Sequence, residues 1–423
     1  MKIVAVRVTP IAISDPPLLN YAGVHEPFAL RSIIEVEADN GLVGLGETYG
    51  DKPVLDHLLR VKDRLVGCSA FDLAELWRVV SAVSADAVRR GLAPGYDTAS
   101  FSRRLKSDLK AFGAFEVALL DLQARSLGIP MYELLGGAVR RSVPYSAYLF
   151  FKYGSGIDSA YKHDPWEEAL NAEQLVAQAR VMIARYGFGS IKLKAGVFEP
   201  QVEIECLHAL KQAFPGVPLR IDPNGNWSLE TAIRMADLLR EDLEYYEDPT
   251  PNLETMSTLH RVTGLTLATN MVVTDIEEFR QNIASRAIHV ILADHHYWGG
   301  LRATQTLAAL CDTSRLGVSM HSNSHLGISL MAMTHVAATV PNLTYACDTH
   351  YPWQVDEVIK GGKIAIEGGC VALSDKPGLG VELDQDALRA LHARYLECGI
   401  SERDDETQMK RLNPEWIPRR PRY

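Results

Sequence analysis

The chain lacks most of the features that would place it outside ordinary globular proteins. It has only six cysteines in 423 residues (Cys68, Cys206, Cys311, Cys347, Cys370 and Cys398), scattered and never in a C-x-x-C pair. That spacing excludes a zinc ribbon and a disulfide scaffold and reads as a reduced, cytoplasmic protein whose thiols are small core residues. No apolar run approaches the roughly 18 residues that span a bilayer, and Arg7 interrupts the opening apolar stretch too early for a secretory core. Positive charge is in deficit, with Lys+Arg 43 against Asp+Glu 53 and a net charge of -10. An acidic surface without a basic stripe argues against a nucleic-acid or membrane partner. The short basic run Arg419-Arg420-Pro421-Arg422 reads as a packed or solvated tail. Phosphate-binding glycine motifs are missing too. Gly44-Leu45-Gly46-Glu47-Thr48-Tyr49 places Tyr where a third glycine belongs, and no G-x-x-x-x-G-K-[ST] occurs.

What is present is a sizeable core, with 47% hydrophobic residues, and two distinct textures along the chain. In the first ~130 residues, Ile33–Glu37 and Leu42–Gly46 flank Asp39-Asn40-Gly41, the signature of a hairpin whose Asn-Gly pair supplies positive φ. Helical periodicity follows over 54–66, 71–88 and 107–127, the last with Phe112, Phe115, Leu119 and Leu122 on one face. From residue 143 short strand-like segments alternate with amphipathic helical stretches. The strands are expected at 143–150, 190–194, 219–222, 243–247, 265–270, 287–294, 316–321 and 343–350. Helices are expected at 167–185, 200–214, 228–240, 302–311 and 328–338. Eight such alternations predict a closed (β/α)8 barrel rather than an open doubly wound sheet. The organisation expected is an α+β capping domain over 1–135, the barrel over 136–385 and a C-terminal segment, 386–423, returning to the cap.

In such barrels function gathers at the C-terminal ends of the strands. Seven consecutive strands here end in ionisable or amide groups: Lys192 and Lys194, Asp222 with Asn224 and Asn226, Glu247-Asp248, Asn270, Asp294, His321 with Asn323, and Asp348 with His350. A single one of these would be an ordinary helix cap or turn former. Asp222, Glu247 and Asn270 are hard oxygen donors from three adjacent strands, a set that suits Mg²⁺. Lys194 and His321 stand on opposite sides of that set. A lysine beside another cation and a divalent ion has its pKa lowered, so Lys194 is the candidate base while Lys192 stays charged. Asp294 orients the His321 imidazole. Two bases across a metal suit removal of the proton α to a carboxylate, with preorganised charge holding the enediolate. His295 and His296 follow Asp294, and as neighbours at a strand end they are expected on opposite faces, which excludes a chelate.

These residues resemble the enolase superfamily, in its mandelate-racemase-like branch, and more narrowly the glucarate dehydratase family. Lys192-Leu193-Lys194 resembles the K-x-K motif and Asp294 with His321 the Asp-His dyad. Leu134-Leu135-Gly136-Gly137 and Pro377-Gly378-Leu379-Gly380-Val381-Glu382 are similar to structural signatures of the branch. The narrower likeness rests on Asn270 at the third metal position, on His321-Ser322-Asn323-Ser324-His325, on Asn20-Tyr21-Ala22-Gly23-Val24-His25 and on Glu402-Arg403-Asp404-Asp405.

The resemblance implies dehydration of D-glucarate or L-idarate to 5-dehydro-4-deoxy-D-glucarate, with Lys194 and His321 as bases for opposite faces of the carbon. It implies substrate contacts from Lys192, Asp222, Asn224 and Asn270 near the metal. Ser322, Asn323, His350 and Tyr148 are implied at the far end, and Asn20, His25 and Arg403 reaching in from outside the barrel. A homo-oligomer is also implied. Glu254 is the runner-up to Glu247 as a ligand, and Thr98, Ser100 and Ser102 are alternatives for a hydroxyl from the cap. Other readings are an epimerase or racemase, a dehydratase of another acid sugar such as galactarate, and a catalytically silent barrel.

Overall fold

The computed structural model describes residues 1–89, 98–240 and 242–423, the side chains of 88 and 98–104 excepted. An antiparallel sheet opens the chain, formed by β1 (Ile3–Ser14), β4 (Phe28–Ala38) and β5 (Val43–Tyr49) in the order β1-β4-β5. A small hairpin of β2 (Leu19–Asn20) and β3 (Gly23–Val24) lies between its first two strands. At the predicted β4–β5 turn only Gly41 takes a positive φ, +78°. The Gly41 N–H donates to Ala38 O (2.9 Å) and the Ala38 N–H to Leu42 O (3.0 Å). This is a turn closed by a single left-handed glycine, which needs no second positive φ at Asn40.

Helices Lys52–Lys62, Leu73–Arg89 and Thr98–Leu127 pack on this sheet. The long helix starts nine residues earlier than periodicity predicted. Phe115, Leu119 and Leu122 are buried against Ile34, Val36, Leu58 and Val80, and Phe112 packs at the edge of that cluster.

A curled parallel sheet follows in the order β13-β12-β11-β10-β9-β8-β7. Its strands are β7 (Ala147–Phe150), β8 (Ile191–Lys194), β9 (Leu219–Asp222), β10 (Leu243–Glu247), β11 (Leu267–Thr269), β12 (Val290–Ala293) and β13 (Gly317–Met320). The predicted first strand divides at Pro144. Residues Ser142–Pro144 form β6, which pairs antiparallel with β14 (Cys370–Ala372), and only the second half enters the barrel. The predicted eighth strand at 343–350 is not a regular strand. Thr344 and Tyr345 both donate to Val318 O (3.0 and 3.3 Å), so one ladder position is doubled and the pairing breaks. The ring nevertheless closes through parallel bridges Val318↔Leu343 and Tyr145↔Cys347.

Several polar residues beyond the strand ends are helix caps and nothing more. Asn171, Ser228, Asn252 and Asp275 each accept the backbone N–H three residues on. Each such cap is worth about 1 kcal/mol.

The cap turns a buried pair toward the barrel, Arg31 Nε to Glu47 Oε1 at 2.9 Å. Glu47 also accepts the N–H groups of Leu326 (2.9 Å) and Ser329 (2.8 Å), at the start of the wholly buried helix Gly327–Thr339. The chain then returns to the cap. Helix Gln385–Cys398 lies on β1, with His392 Nδ1 2.7 Å from Pro10 O, and helix Asp405–Leu412 lies on β3. Among the described residues no helix is long and apolar enough to cross a membrane.

Candidate active site

Side chains alternate across a strand, so the inner wall of the barrel can be read in pairs. Lys192 and Lys194 on β8 stand in register with Arg220 and Asp222 on β9, and Tyr148 and Phe150 on β7 stand on their other side. Lys194 Nζ lies 2.7 Å from Asp222 Oδ2. Lys192 is fully buried. Its ammonium is 2.6 Å from Glu247, 2.6 Å from Asp348 and 3.5 Å from Asp222, over the Tyr148 ring at 4.5 Å. Burial alone would lower its pKa, but Asp348 and Glu247 hold it well above the ordinary lysine value.

Three carboxylates thus face two ammonium groups in a place shut off from water. Burial pushes the Glu247 carboxyl well above its usual range, Lys192 pulls it back, and Asp222 and Asp348 push it up again. A buried cluster short of positive charge, built from hard oxygen donors, fits a divalent cation. Asn270 completes the set. Its amide donates to Glu247 Oε1 at 2.9 Å, and its backbone N–H is held by Asp248 Oδ2 at 2.9 Å. Asp248 (φ 37°) and Asn224 (φ 55°) both sit in the left-handed region at strand ends, where non-glycine residues carry strain that marks functional loops. Glu254, by contrast, is exposed on helix Leu253–Thr263 and lines a separate depression with Asn252 and Arg261.

Across the ring, His321 Nδ1 is 2.9 Å from Asp294 Oδ2. The other oxygen of Asp294 accepts the His296 backbone N–H at 2.8 Å and lies 2.7 Å from His296 Nδ1. Burial would raise the Asp294 carboxyl; His296 and His321 together outweigh it and hold the group well below the usual carboxylate range. His296 Nε2 continues to Ser329 Oγ (3.0 Å).

The expectation that His295 and His296 point to opposite faces is overturned. Residues His295–Trp298 form a helical turn rather than a strand end, and the two rings lie 3.9 Å apart. Asp294, His295 and His296 present ligand atoms within 4.8 Å of one another. Both Asp294 oxygens are already engaged by His296 and His321, so Asp294 and His296 form the hydrogen-bonded support of His321, and His295 Nε2, buried beside them, has no hydrogen-bond partner among the described residues.

Above these groups opens a cavity of about 490 Å³. Ten of the predicted residues line it: Asn20, His25, Tyr148, Lys194, Asn224, His321, Ser322, Asn323, His350 and Arg403. Asn270 lines an adjoining hollow of about 390 Å³ that shares Asn224, His321 and Asn323. Lys192, Asp222, Glu247 and Asp294 are buried and line neither, so Lys192 contacts carboxylates where a substrate contact was expected. The side chains of Thr98, Ser100 and Ser102 lie outside the described residues.

The cap fixes its contributions through acids. His25 Nδ1 is 3.0 Å from Asp15 Oδ2, and Arg403 Nε donates to Asp405 Oδ1 (2.8 Å), which also holds Asn20 Nδ2 through its second oxygen (2.8 Å). Ser322 Oγ accepts the His350 N–H at 2.9 Å. Sequence reasoning gave no role to Asp15, to Asp248 and Asp348, or to Tyr297, the last stacked on His321 with centroids 5.9 Å apart. Asp248 and Asp348 were visible at strand ends; Asp15 gave no local signal.

Residues 174–387 match the family described as enolase C-terminal domain-like, and residues 4–136 match the mandelate racemase / muconate lactonizing enzyme N-terminal domain. A probable glucarate dehydratase of Streptomyces coelicolor is 48% identical, over 100% of this chain and 99% of its own. An enolase of Pseudomonas fluorescens, crystallised with magnesium, potassium and tartrate, is 61% identical, with a TM-score of 0.95 over 100% of this chain and 99% of that one. An L-talarate/galactarate dehydratase of Salmonella typhimurium is 25% identical over 89% of this chain and 86% of its own.

Proposed function

The chain belongs to the enolase superfamily, and from that premise we propose that it is a magnesium-dependent dehydratase of a dicarboxylic sugar acid, with D-glucarate and its epimer L-idarate as substrates. The observation that carries this reading is the placement of Lys194, at the end of β8, and His321, just after β13, on the wall of a single cavity. Asp222, Glu247 and Asn270 would hold Mg²⁺ between them, as the charge deficit around Lys192 invites. Magnesium bound there supplies positive charge against the negative charge that builds on the substrate carboxylate.

The chain's own residues perform the rest. One of the two bases takes the proton α to the carboxylate, Lys194 from one face or His321 from the other. Asp294 accepts the His321 Nδ1–H, so the Nε2 lone pair is the one offered to the cavity. When Lys194 is the base, His321 starts as the imidazolium and gives its Nε2 proton to the departing β-hydroxyl; when His321 is the base, it passes to that hydroxyl the proton it has just taken. One C–H bond and one C–O bond break, a carbon–carbon double bond forms, and water leaves. The enol that remains becomes the keto acid 5-dehydro-4-deoxy-D-glucarate. Arg403 and His25 close the outer end, where a guanidinium matches a second carboxylate.

A panel of aldarates and aldonates, assayed for keto-acid product with Mg²⁺ present, tests the reading. Product from D-glucarate and L-idarate is expected. Exchange of the α-hydrogen without release of water would make the protein an epimerase. The likeness to an L-talarate/galactarate dehydratase favours galactarate as the second substrate to try.

A further inference from the structure

The basic run 419–422 has a definite place in the fold. The Arg422 N–H donates to both Asn226 O and Asn226 Oδ1 (3.0 Å each), and the Tyr423 N–H donates to Asn226 O (3.2 Å). Ser228 N–H donates to Tyr423 O, and the Tyr423 hydroxyl donates to Val197 O at 3.3 Å. Asn226 in turn donates to Gly196 O at 2.6 Å. The end of the chain is therefore fastened over the loops that follow β8 and β9, the strands carrying Lys194 and Asp222.

This anchoring sets Arg420 on the wall of the 490 Å³ cavity, together with Tyr21 and Arg403. Its guanidinium carbon lies 4.5 Å from the Tyr21 ring centroid, and Nη2 is 2.6 Å from Glu406 Oε1. The other cations of the cavity are more fully matched. Arg403 pairs with Asp405 at 2.8 Å and has Asp15 at 3.7 Å, and Lys194 is held by Asp222. Arg420 has one carboxylate for five N–H donors, and its side chain is 47% exposed. A guanidinium laid on an aromatic face keeps its plane fixed and an edge free, the geometry for bidentate capture of a carboxylate.

We infer that Arg420 is a further specificity-determining residue that joins Arg403 in binding the outer carboxylate of the substrate and so favours dicarboxylic over monocarboxylic sugar acids. This rests on the aldarate reading above. A basic run that the sequence reads as a packed or solvated tail is packed, and it becomes part of the mouth of the site.

The test compares the magnesium-loaded wild type with Arg420→Met, Arg420→Lys and a variant lacking residues 419–423. KM and kcat are measured for D-glucarate. The inhibition constant is measured for the matching monocarboxylate, in which a hydroxymethyl group replaces the outer carboxylate. Arg420→Met and the deletion should each raise KM for D-glucarate tenfold or more, with the loss carried by KM rather than kcat. Arg420→Lys should recover part of it. The monocarboxylate constant should move less than twofold. A KM within twofold of wild type in both Arg420→Met and the deletion overturns the assignment, and so does an equal rise for both acids. A wild type that dehydrates no dicarboxylic sugar acid instead overturns the dehydratase reading, and this one with it, before any variant is made.

Discussion

Replacing Asp294 by Asn probes the dyad with almost no change of shape. The carboxylate accepts three N–H groups: His321 Nδ1 at 2.9 Å on one oxygen, and His296 Nδ1 at 2.7 Å with the His296 backbone N–H at 2.8 Å on the other. An amide offers one acceptor oxygen and one donor NH₂. If the oxygen stays with His296 and its backbone N–H, the NH₂ faces His321 Nδ1 and forces the tautomer that carries its proton on Nε2. The base then presents a hydrogen where it needs a lone pair. The variant also loses the anion that stabilises the imidazolium. Opposite charges about 4 Å apart at an effective dielectric near 20 attract by about 4 kcal/mol. At 1.36 kcal/mol per decade that is about a thousandfold in rate. We therefore expect Asp294→Asn to lower kcat for D-glucarate about 10³-fold, while exchange of the α-hydrogen by Lys194, followed in D₂O by NMR, continues. The far-UV spectrum and Tm should stay near wild type, which separates loss of chemistry from loss of fold. A kcat within tenfold of wild type would show that the buried carboxylate does not set the state of His321.

His335, buried with Nδ1 accepting the Tyr132 N–H (3.2 Å) and Nε2 donating to Leu379 O (3.2 Å), has its pKa pushed down to about 4 by burial. The unfolded chain takes that proton near 6.5, so stability is full above pH 6.5 and falls as pH drops toward 4, by about 2 kcal/mol at pH 5. Urea unfolding at pH 7 and pH 5 should show a steeper loss for wild type than for His335→Gln; parallel losses would refute it. Gly44 has no room for a side chain, since a Cβ there would stand 2.0 Å from Ala118 O. Gly44→Ala should lower stability by about 3 kcal/mol, and a Tm unchanged within 2 °C, on the order of the experimental scatter, would contradict the close packing. Chelation should abolish turnover and Mg²⁺ restore it. Added Mg²⁺ at a hundredfold over its Kd should also raise unfolding free energy by about 2.7 kcal/mol, whereas an unmoved Tm would speak against the Asp222, Glu247 and Asn270 site.

The barrel and its reactive rim were legible because both follow from local periodicities. Strand alternation of two fixes that Lys192 and Lys194 share a face, and eight β-then-α segments leave few ways to bury their apolar sides. What escaped was set by contacts distant in sequence. Nothing near 343–350 announces that two amides share the Val318 carbonyl, so a barrel strand was expected where the chain makes only bridges. His295 and His296 look like the end of a strand until the turn after Asp294 winds them into a helix and brings their rings together.

Lys192 is the most instructive case. Its position was predicted correctly from the strand, but its partners come from three other strand ends at sequence separations of 30, 55 and 156 residues. A lysine so enclosed gives two of its three N–H donors to Glu247 and Asp348, with Asp222 at 3.5 Å beyond them. It offsets part of the carboxylate repulsion and leaves the remainder for a divalent ion to meet. The two roles that sequence kept apart, cation pair and metal site, are therefore one electrostatic unit. Changing Lys192 to Met should weaken folding without metal, read as a lower urea midpoint, and tighten magnesium binding, read as a lower Kd by calorimetry, because fewer buried carboxylates are balanced and the site left behind attracts a cation more strongly; a Kd that rises or stays unchanged would refute the single electrostatic unit.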